Sequence, residues 1–397
     1  MLEGEIPPAL TREFDPHQMS TLKRQSISIM NIFHAVILGV LIAATLVASG
    51  QDNKPPVRVA VIGLSHDHAN GFFPKLRGRA DIELAGVVET NRALIEIYAR
   101  RFNLGSNLFF ATLDDMFAQQ KVQAVAAFGS TFEHRAVVER CAREGVTVMV
   151  EKPLAVNMEH ARAIETAARR GNIQVIVNYE TTWYAGNRAA YEMVHDRKEL
   201  GEIRRMVVHD GHRGPKEIGC SPYFLNWLTD PVLNGGGALN DFGCYGADLA
   251  TWFMDGQRPE SVFATTQHIK PEIYPEVEDE ATIVITYPKA QAILQASWNW
   301  PFDRKDMEIY GRTGYVHVPR ANLLRVRLAN QNDAKEITPA ALSGPEADAI
   351  SYLVAVARKE IIPSGLSSLS VNMTVVEILD AAHESARTGK RIDFKAN

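Results

Sequence analysis

Cysteine is scarce in this sequence. The 397 residues hold three, Cys141, Cys220 and Cys244, odd in number, far apart and without a C-x-x-C pair. They indicate neither a disulfide framework nor a cysteine zinc site. No polybasic run is present and the net charge is -5, which leaves no basic footprint for nucleic acid. No histidine pair has the i, i+4 spacing of a helical metal site, and no internal repeat marks a solenoid. What remains, 46% hydrophobic and 22% charged residues, is the composition of a packed globular protein. At roughly 150 residues per domain, the length predicts two domains and an additional segment.

The additional segment is residues 1–56. After "TLKRQSIS" comes "IMNIFHAVILGVLIAATLVASG", an apolar run over residues 29–50 with basic residues before it and small residues at its end. That order is the one found in a secretory signal peptide. The run also approaches the roughly 20 apolar residues of a membrane span, so an uncleaved anchor is the alternative. The expectation is an exported chain, periplasmic or secreted, touching a membrane only through this segment. Met19 and Met30 are alternative starts, and Lys23-Arg24 is a weak relative of the twin-arginine signal.

From Val57 the text alternates. "VRVAVI", "ELAGVV", "VQAVAAF", "VTVMV" and "IQVIV" are short apolar runs, separated by helix-periodic stretches at Arg92 to Phe102, Glu133 to Glu144 and Asn157 to Arg170. This rhythm predicts βαβ units and an α/β, doubly wound parallel sheet of the Rossmann type over 57–178. Beyond it, "EIRRMVVHD", "SVFATTQH", "EATIVITY" and "AILQASWNW" follow one another with few helices between. They predict an α+β domain over 179–397, with an open, mostly antiparallel sheet.

Three constellations could carry chemistry. The first is "GLSHDHANGF". A dinucleotide turn uses glycines to tighten and to let backbone approach the pyrophosphate. Here Gly63 keeps the first position, Ser65 and His68 stand at the second and third, and Ser65 and His66 are expected near the phosphates. Glu89, at the end of the second run, stands where an acid accepts ribose hydroxyls and favours NAD; Arg92 one turn later favours NADP. A metal reading would use His66, Asp67 and His68, with His209, Asp210 and His212, but neighbours in a turn rarely converge on one ion, and no metal is expected. The plainer alternative has His66 and His68 capping the helix start.

The second is "VMVEKPLAVN". Glu151 and Lys152 fall at the C-terminal edge of the sheet, where ligands bind in such folds, and an ammonium there could orient a hydroxyl and relay its proton. A solvated Lys-Glu pair is the bland reading. The third is "NGGGALNDFGCYGADLATWF", in which Asp241 and Tyr245 stand four apart on a predicted helix, able to hold a polyol and exchange a proton. Its bland counterpart is an acid in the first helical turn and an aromatic in the core.

Taken in order, these pieces resemble the Gfo/Idh/MocA family of oxidoreductases over about Arg58 to Phe394. The likeness rests on the Gly63 turn, "FGSTFEHRAVVERCAREGVTVMVEKPLA", "GGGALNDFGCYGADLATW" and "VVEILDAAHESARTGKRIDF". It implies a nicotinamide dinucleotide on the first domain and a sugar, cyclitol or related polyol on the second. Lys152 would lie beside both, with a cis bond before Pro153. Asp241 would face the substrate, and Tyr245 would hold the position of a histidine acid/base in many members. The family's Thr-Pro-Asn-x-x-His segment maps onto Gly129, Ser130, Thr131 and His134, placing Ser130 and His134 at the cofactor; only the histidine is retained. The resemblance further implies a homo-oligomer. The expected activity is hydride transfer between a polyol hydroxyl and NAD, with NADP as the alternative. Two other readings stand beside it: NAD-dependent oxidation and elimination of a glycoside, and carbohydrate binding without turnover.

Overall fold

The computed structural model describes residues 54–394, so the expected signal or anchor at 29–50 lies outside the described residues. Among those described, no helix is long and apolar enough to cross a membrane.

The apolar runs become β1 (Val57–Ile62), β2 (Ile82–Val88), β4 (Ala124–Ala127), β5 (Thr147–Glu151) and β6 (Val175–Asn178), joined at one edge by a two-residue β3 (Phe109–Phe110). All pair in parallel, in the order β3-β2-β1-β4-β5-β6. Helices cover both faces: α1 (Ala69–Leu76), α2 (Arg92–Phe102), α3 (Leu113–Gln119), α4 (His134–Glu144) and α5 (Met158–Gly171). That burial is why β4 reads as an unbroken apolar run, and β1 as one interrupted only by Arg58, rather than as alternation. The Asn91 and Asn157 side chains accept backbone N–H bonds at the starts of α2 and α5. The edge strand β3 and helix α3 are too short to show a period in the sequence.

After α6 (Ala185–His195) the chain builds a nine-stranded sheet. Its strands are β7 (Ile203–Gly211), β8 (Ser261–Gln267), β9 (Glu280–Thr286), β10 (Gln291–Ser297), β11 (Arg304–Gly311), β12 (Gly314–Arg320), β13 (Leu323–Leu328), β14 (Lys335–Ile337) and β15 (Ile392–Asp393). Only β7 and β10 pair in parallel; the other neighbours are antiparallel. Between β7 and β8 lie α7 (Pro222–Leu228), α8 (Ala238–Asp241) and α9 (Gly243–Phe253).

The closing segment divides its loyalty. A short 3-10 turn (Gly344–Ala347) is followed by α10 (Ala349–Ala357), and α10 returns to the first sheet. Ile350, Leu353, Val354 and Val356 are buried in one cluster with Val57, Val59, Val61 and Ile176. The first domain's core is thus completed by residues from the chain's end, while α11 (Leu369–Thr388) packs on α5, α9 and β8. Leu353 is fully buried, so Leu353→Ala should lower unfolding stability in urea by about 2–5 kcal/mol. An unchanged midpoint would mean that α10 is not part of that core.

Candidate active site

Gly63 turns the chain after β1 with φ of 76°, and a Cβ there would stand 2.8 Å from the Gly129 amide nitrogen. Conformation and close approach both require glycine. Around this contact lies a cleft of about 390 Å³, lined by Gly63, Ser65, Glu89, Gly129, Glu133 and His134 among others. Glu89 accepts from Leu64 N–H at 2.9 Å and from the amides of Thr90 and Asn91 at 2.8 Å. Three of its roughly four acceptor positions are used, leaving one for a ribose hydroxyl. His134 is buried; its Nδ1 lies 3.2 Å from Leu154 O, and its Nε2 has no hydrogen-bond partner among the described residues. Burial holds its pKa down, so the neutral ring offers Nε2 as an acceptor on the cleft.

The other expected cofactor residues are placed differently. His66 turns inward, 1% exposed, with the rings of Phe224 and Trp227 at 4.6 and 5.4 Å. Its N–H donates to Phe128 O and its Nδ1 accepts from His68 N–H at 3.1 Å, so it ties the turn to α7 instead of lining the cleft. Arg92 begins α2 on the exposed surface and is not among the lining residues. Ser130 forms a capping box with Glu133 at the start of the turn before α4. Glu151 is buried, bound to His68 Nδ1 at 3.0 Å and to Asn178 Nδ2 at 2.8 Å. That outward swing of the His68 ring toward Glu151 explains how a histidine fits the third fingerprint position without crowding the strand and helix.

His66, His68 and Glu151 also place one ligand atom each within 4.8 Å of one another. Tetrahedral ligands about 2.1 Å from zinc stand roughly 3.4 Å apart. With His66 Nδ1 already accepting from His68 N–H, and the Lys152 ammonium among the charges acting on His66, the cluster is built as a hydrogen-bonded support.

Lys152 follows β5 and precedes a cis Pro153. Its Nζ donates to Asp241 Oδ1 at 2.5 Å and to Asp241 O at 2.9 Å, and Trp298 Nε1 donates to Asp241 Oδ2 at 2.9 Å. The carbonyl is available because the expected continuous helix is interrupted at Phe242, between α8 and α9. There, Tyr245 N–H bonds to Phe242 O rather than to Asp241 O. Burial would push the Lys152 ammonium toward neutrality, but Asp241 outweighs it and raises the pKa; Lys152 likewise outweighs burial and holds the Asp241 carboxyl low. Both stay charged.

A second cleft of about 590 Å³ opens on this pair, lined also by Tyr245, Lys305, Glu180 and His212. The turn after Gly63 borders both clefts, with Ser65 on one and Asp67 and His68 on the other. Tyr245 is 1% exposed, and burial pushes its phenol well above the usual range. Lys152 and Lys305 lie 5.0 and 4.5 Å from its ring centre. Lys305 is ion-paired with Glu180, which accepts from Tyr184 Oη at 2.8 Å. Asp210, opposite Lys305 in the sheet register, is buried and pushed by that burial well above the carboxylate range. Lys305, Glu180, Tyr184 and Trp298 were not anticipated from the sequence.

Replacing Asp241 would leave Lys152 as a buried, uncompensated charge. Asp241→Asn should cost about 3–5 kcal/mol at pH 7 in urea unfolding. Because Asp241 is depressed, its contribution is present above the unfolded carboxyl value near 4 and lost as pH falls through the lower folded value. Because Lys152 is raised, its contribution is lost only above about pH 10.4. The deficit of the variant should therefore be flat from about pH 5 to about pH 10; no deficit at pH 7 would contradict the pair's role.

Comparison with known proteins places these features in a family. Residues 57–179 match the model described as the oxidoreductase family, NAD-binding Rossmann fold, and residues 187–317 match the GFO/IDH/MocA C-terminal domain. A trans-1,2-dihydrobenzene-1,2-diol dehydrogenase of Xenopus laevis is 29% identical over 190 residues, 47% of this chain and 52% of the relative. An inositol 2-dehydrogenase of Rhizobium meliloti (strain 1021) is 22% identical over 257 residues, 64% of this chain and 72% of the relative. The aligned region thus spans about half the length of the first of these relatives. Among solved structures, an aldose-aldose oxidoreductase from Caulobacter crescentus complexed with glycerol superposes with a TM-score of 0.73 at 22% identity, over 85% of this chain and 100% of that one. An inositol dehydrogenase homolog from Azotobacter vinelandii complexed with NAD+ gives 0.73 at 18%, over 86% and 98%. A NAD-binding Rossmann domain followed by this C-terminal domain, with Lys152, Asp241 and Tyr245 gathered at their junction, makes the chain a member of the Gfo/Idh/MocA oxidoreductase family.

Proposed function

We propose that the protein is a NAD-dependent oxidoreductase acting on a hydroxyl of a neutral sugar or polyol. The observation that carries this reading is the buried Lys152–Asp241 pair beside the Tyr245 phenol, on a cleft that shares a wall with the Gly63 turn. The residues present fit the cofactor. The turn at Gly63 and Ser65 would face the pyrophosphate, Glu89 a ribose, and the unpartnered Nε2 of His134 a donor on the dinucleotide. When bound, the nicotinamide supplies the hydride acceptor.

Two of the three Lys152 N–H donors are directed at Asp241, leaving one for the substrate hydroxyl. Since the ammonium stays charged, Lys152 orients and polarises that hydroxyl, and Tyr245 receives or returns the proton. Each ammonium on the cleft has its own carboxylate, Lys152 with Asp241 and Lys305 with Glu180, and burial raises the Asp210 carboxyl well above the carboxylate range. That local balance suits an uncharged substrate. Export through the 29–50 segment and pairing of two copies through the sheet belong to the same proposal. In support of the pairing, Phe263 and Tyr310, on strands of the nine-stranded sheet, are about 40% exposed.

With a panel of cyclic polyols and aldoses, NAD reduction should appear for at least one compound. Lys152→Met should lower kcat by about 10²- to 10⁴-fold while NAD affinity stays within a few fold. Retained turnover would remove Lys152 from the chemistry, and binding of sugar without NAD would leave a carbohydrate-binding protein. Glu89→Ala should weaken NAD more than NADP, by about tenfold for one lost charged hydrogen bond; equal losses would show that Glu89 only braces the turn.

A further inference from the structure

A buried proton acceptor needs a way to lose its proton. Oxidation of a secondary alcohol by an oxidised nicotinamide dinucleotide breaks one C–H and one O–H bond. The hydride passes to the nicotinamide, the carbonyl forms, and one proton must reach water in each turnover. If Tyr245 takes that proton it holds it at a group 1% exposed. Lys152 offers no route to water, because two of its donors are directed at Asp241, which is itself buried.

Among the described residues one group lies within hydrogen-bond reach of Tyr245 Oη, the Lys305 ammonium at 3.5 Å. Lys305 is in turn ion-paired with Glu180. The order Tyr245, Lys305, Glu180 runs from the interior outward: the side chains of Lys305 and Glu180 are 24% and 53% exposed. Tyr184 holds the Glu180 carboxylate on its other oxygen.

We propose that Lys305 and Glu180 form a proton relay joining the Tyr245 hydroxyl to solvent, with Lys305 acting through Tyr245 as a positioning residue. The proposal rests on the oxidoreductase reading. In the oxidative direction the Tyr245 phenolate takes the substrate hydroxyl proton. Lys305 then accepts that proton while passing one of its own to the Glu180 carboxylate, and Glu180 releases it to water. Phenolate, ammonium and carboxylate are restored, and the sequence reverses for reduction.

The charges around the relay come from several elements. Lys152 from the end of β5, Lys305 from β11, Asp210 from β7, Glu180 from the turn after β6, and Asp241 and Cys244 from the α8–α9 junction all face Tyr245; His68 faces Glu180. Burial and the acids raise the phenol, and the two ammonium groups, 5.0 and 4.5 Å from its ring centre, act in the opposite direction.

The test begins without substrate or cofactor. With 3-fluorotyrosine at position 245, the phenol is titrated by fluorine NMR in the wild type, Lys305→Met, Lys305→Arg and Glu180→Gln. Lys305→Met should raise the proton affinity of the phenol at least tenfold, Lys305→Arg should restore most of it, and Glu180→Gln should lower it. An unmoved midpoint in Lys305→Met overturns the proposal, whether or not any polyol is a substrate. With a substrate in hand, Glu180→Gln should slow kcat at least tenfold, enlarge its solvent isotope effect and recover with added formate. Unchanged turnover in Glu180→Gln overturns the exit through Glu180. Failure of every polyol, with the midpoint moved as expected, would count against the oxidoreductase reading and leave the coupling in place.

Discussion

The buried contact between Lys152 and Asp241 is the constraint around which the two domains are arranged. It joins the end of β5 in the first sheet to the α8–α9 junction of the second domain, and both partners are less than a tenth exposed. Such a pair is poor evidence for stability, since hydrophobic side chains could fill the same space at least as well. Its geometry instead fixes an ammonium at a defined place and keeps it charged in an apolar surround. The helix interruption at Phe242 and the indole of Trp298 serve that end, one by releasing a carbonyl and the other by fixing the second carboxylate oxygen.

Other features follow from holding this pair between two clefts. His66 locks the phosphate-side turn against α7 of the second domain, which couples the cofactor wall to the substrate wall. His68 and Asn178 satisfy the buried Glu151 carboxylate next to Lys152, so that the acid does not compete for the ammonium. The return of α10 to the first sheet binds the domains further, and relative movement between them would have to disturb a shared core.

Much of the fold was legible because parallel strands buried on both faces leave unbroken apolar runs and their helices a 3.6 period. The boundaries of β1, those of β2 and β5 to within one residue, and the order of sheet types follow from that. The strands from β11 to β14 were not anticipated: charged residues interrupt them, as in "RKDMEIYG" and "LLRVRL", and they lack the apolar density of β1. At the site, Gly63, Glu89, Lys152, Asp241 and Tyr245 stand in motifs whose spacing is local. Lys305 and Glu180 meet Tyr245 only through sheet register and a turn, which no linear spacing reveals. Asp210 left a readable sign: with Met206 and Val208 it occupies alternate positions of β7, so an acid stood on the buried face of a strand. His66 misled because a ring in a phosphate turn suggests an anion ligand, whereas the aromatic partners that draw it inward come from α7, far along the chain.

The central claim is that the Gly63–Glu89 cleft presents a dinucleotide to Lys152. A crystal structure of the protein soaked with NAD tests it directly. The account predicts adenosine ribose at Glu89, pyrophosphate at Gly63 and Ser65, and the nicotinamide ring against the Lys152 ammonium, facing the Tyr245 cleft. NAD absent from that cleft at saturating concentration, or bound with its nicotinamide turned away from Lys152, would contradict it.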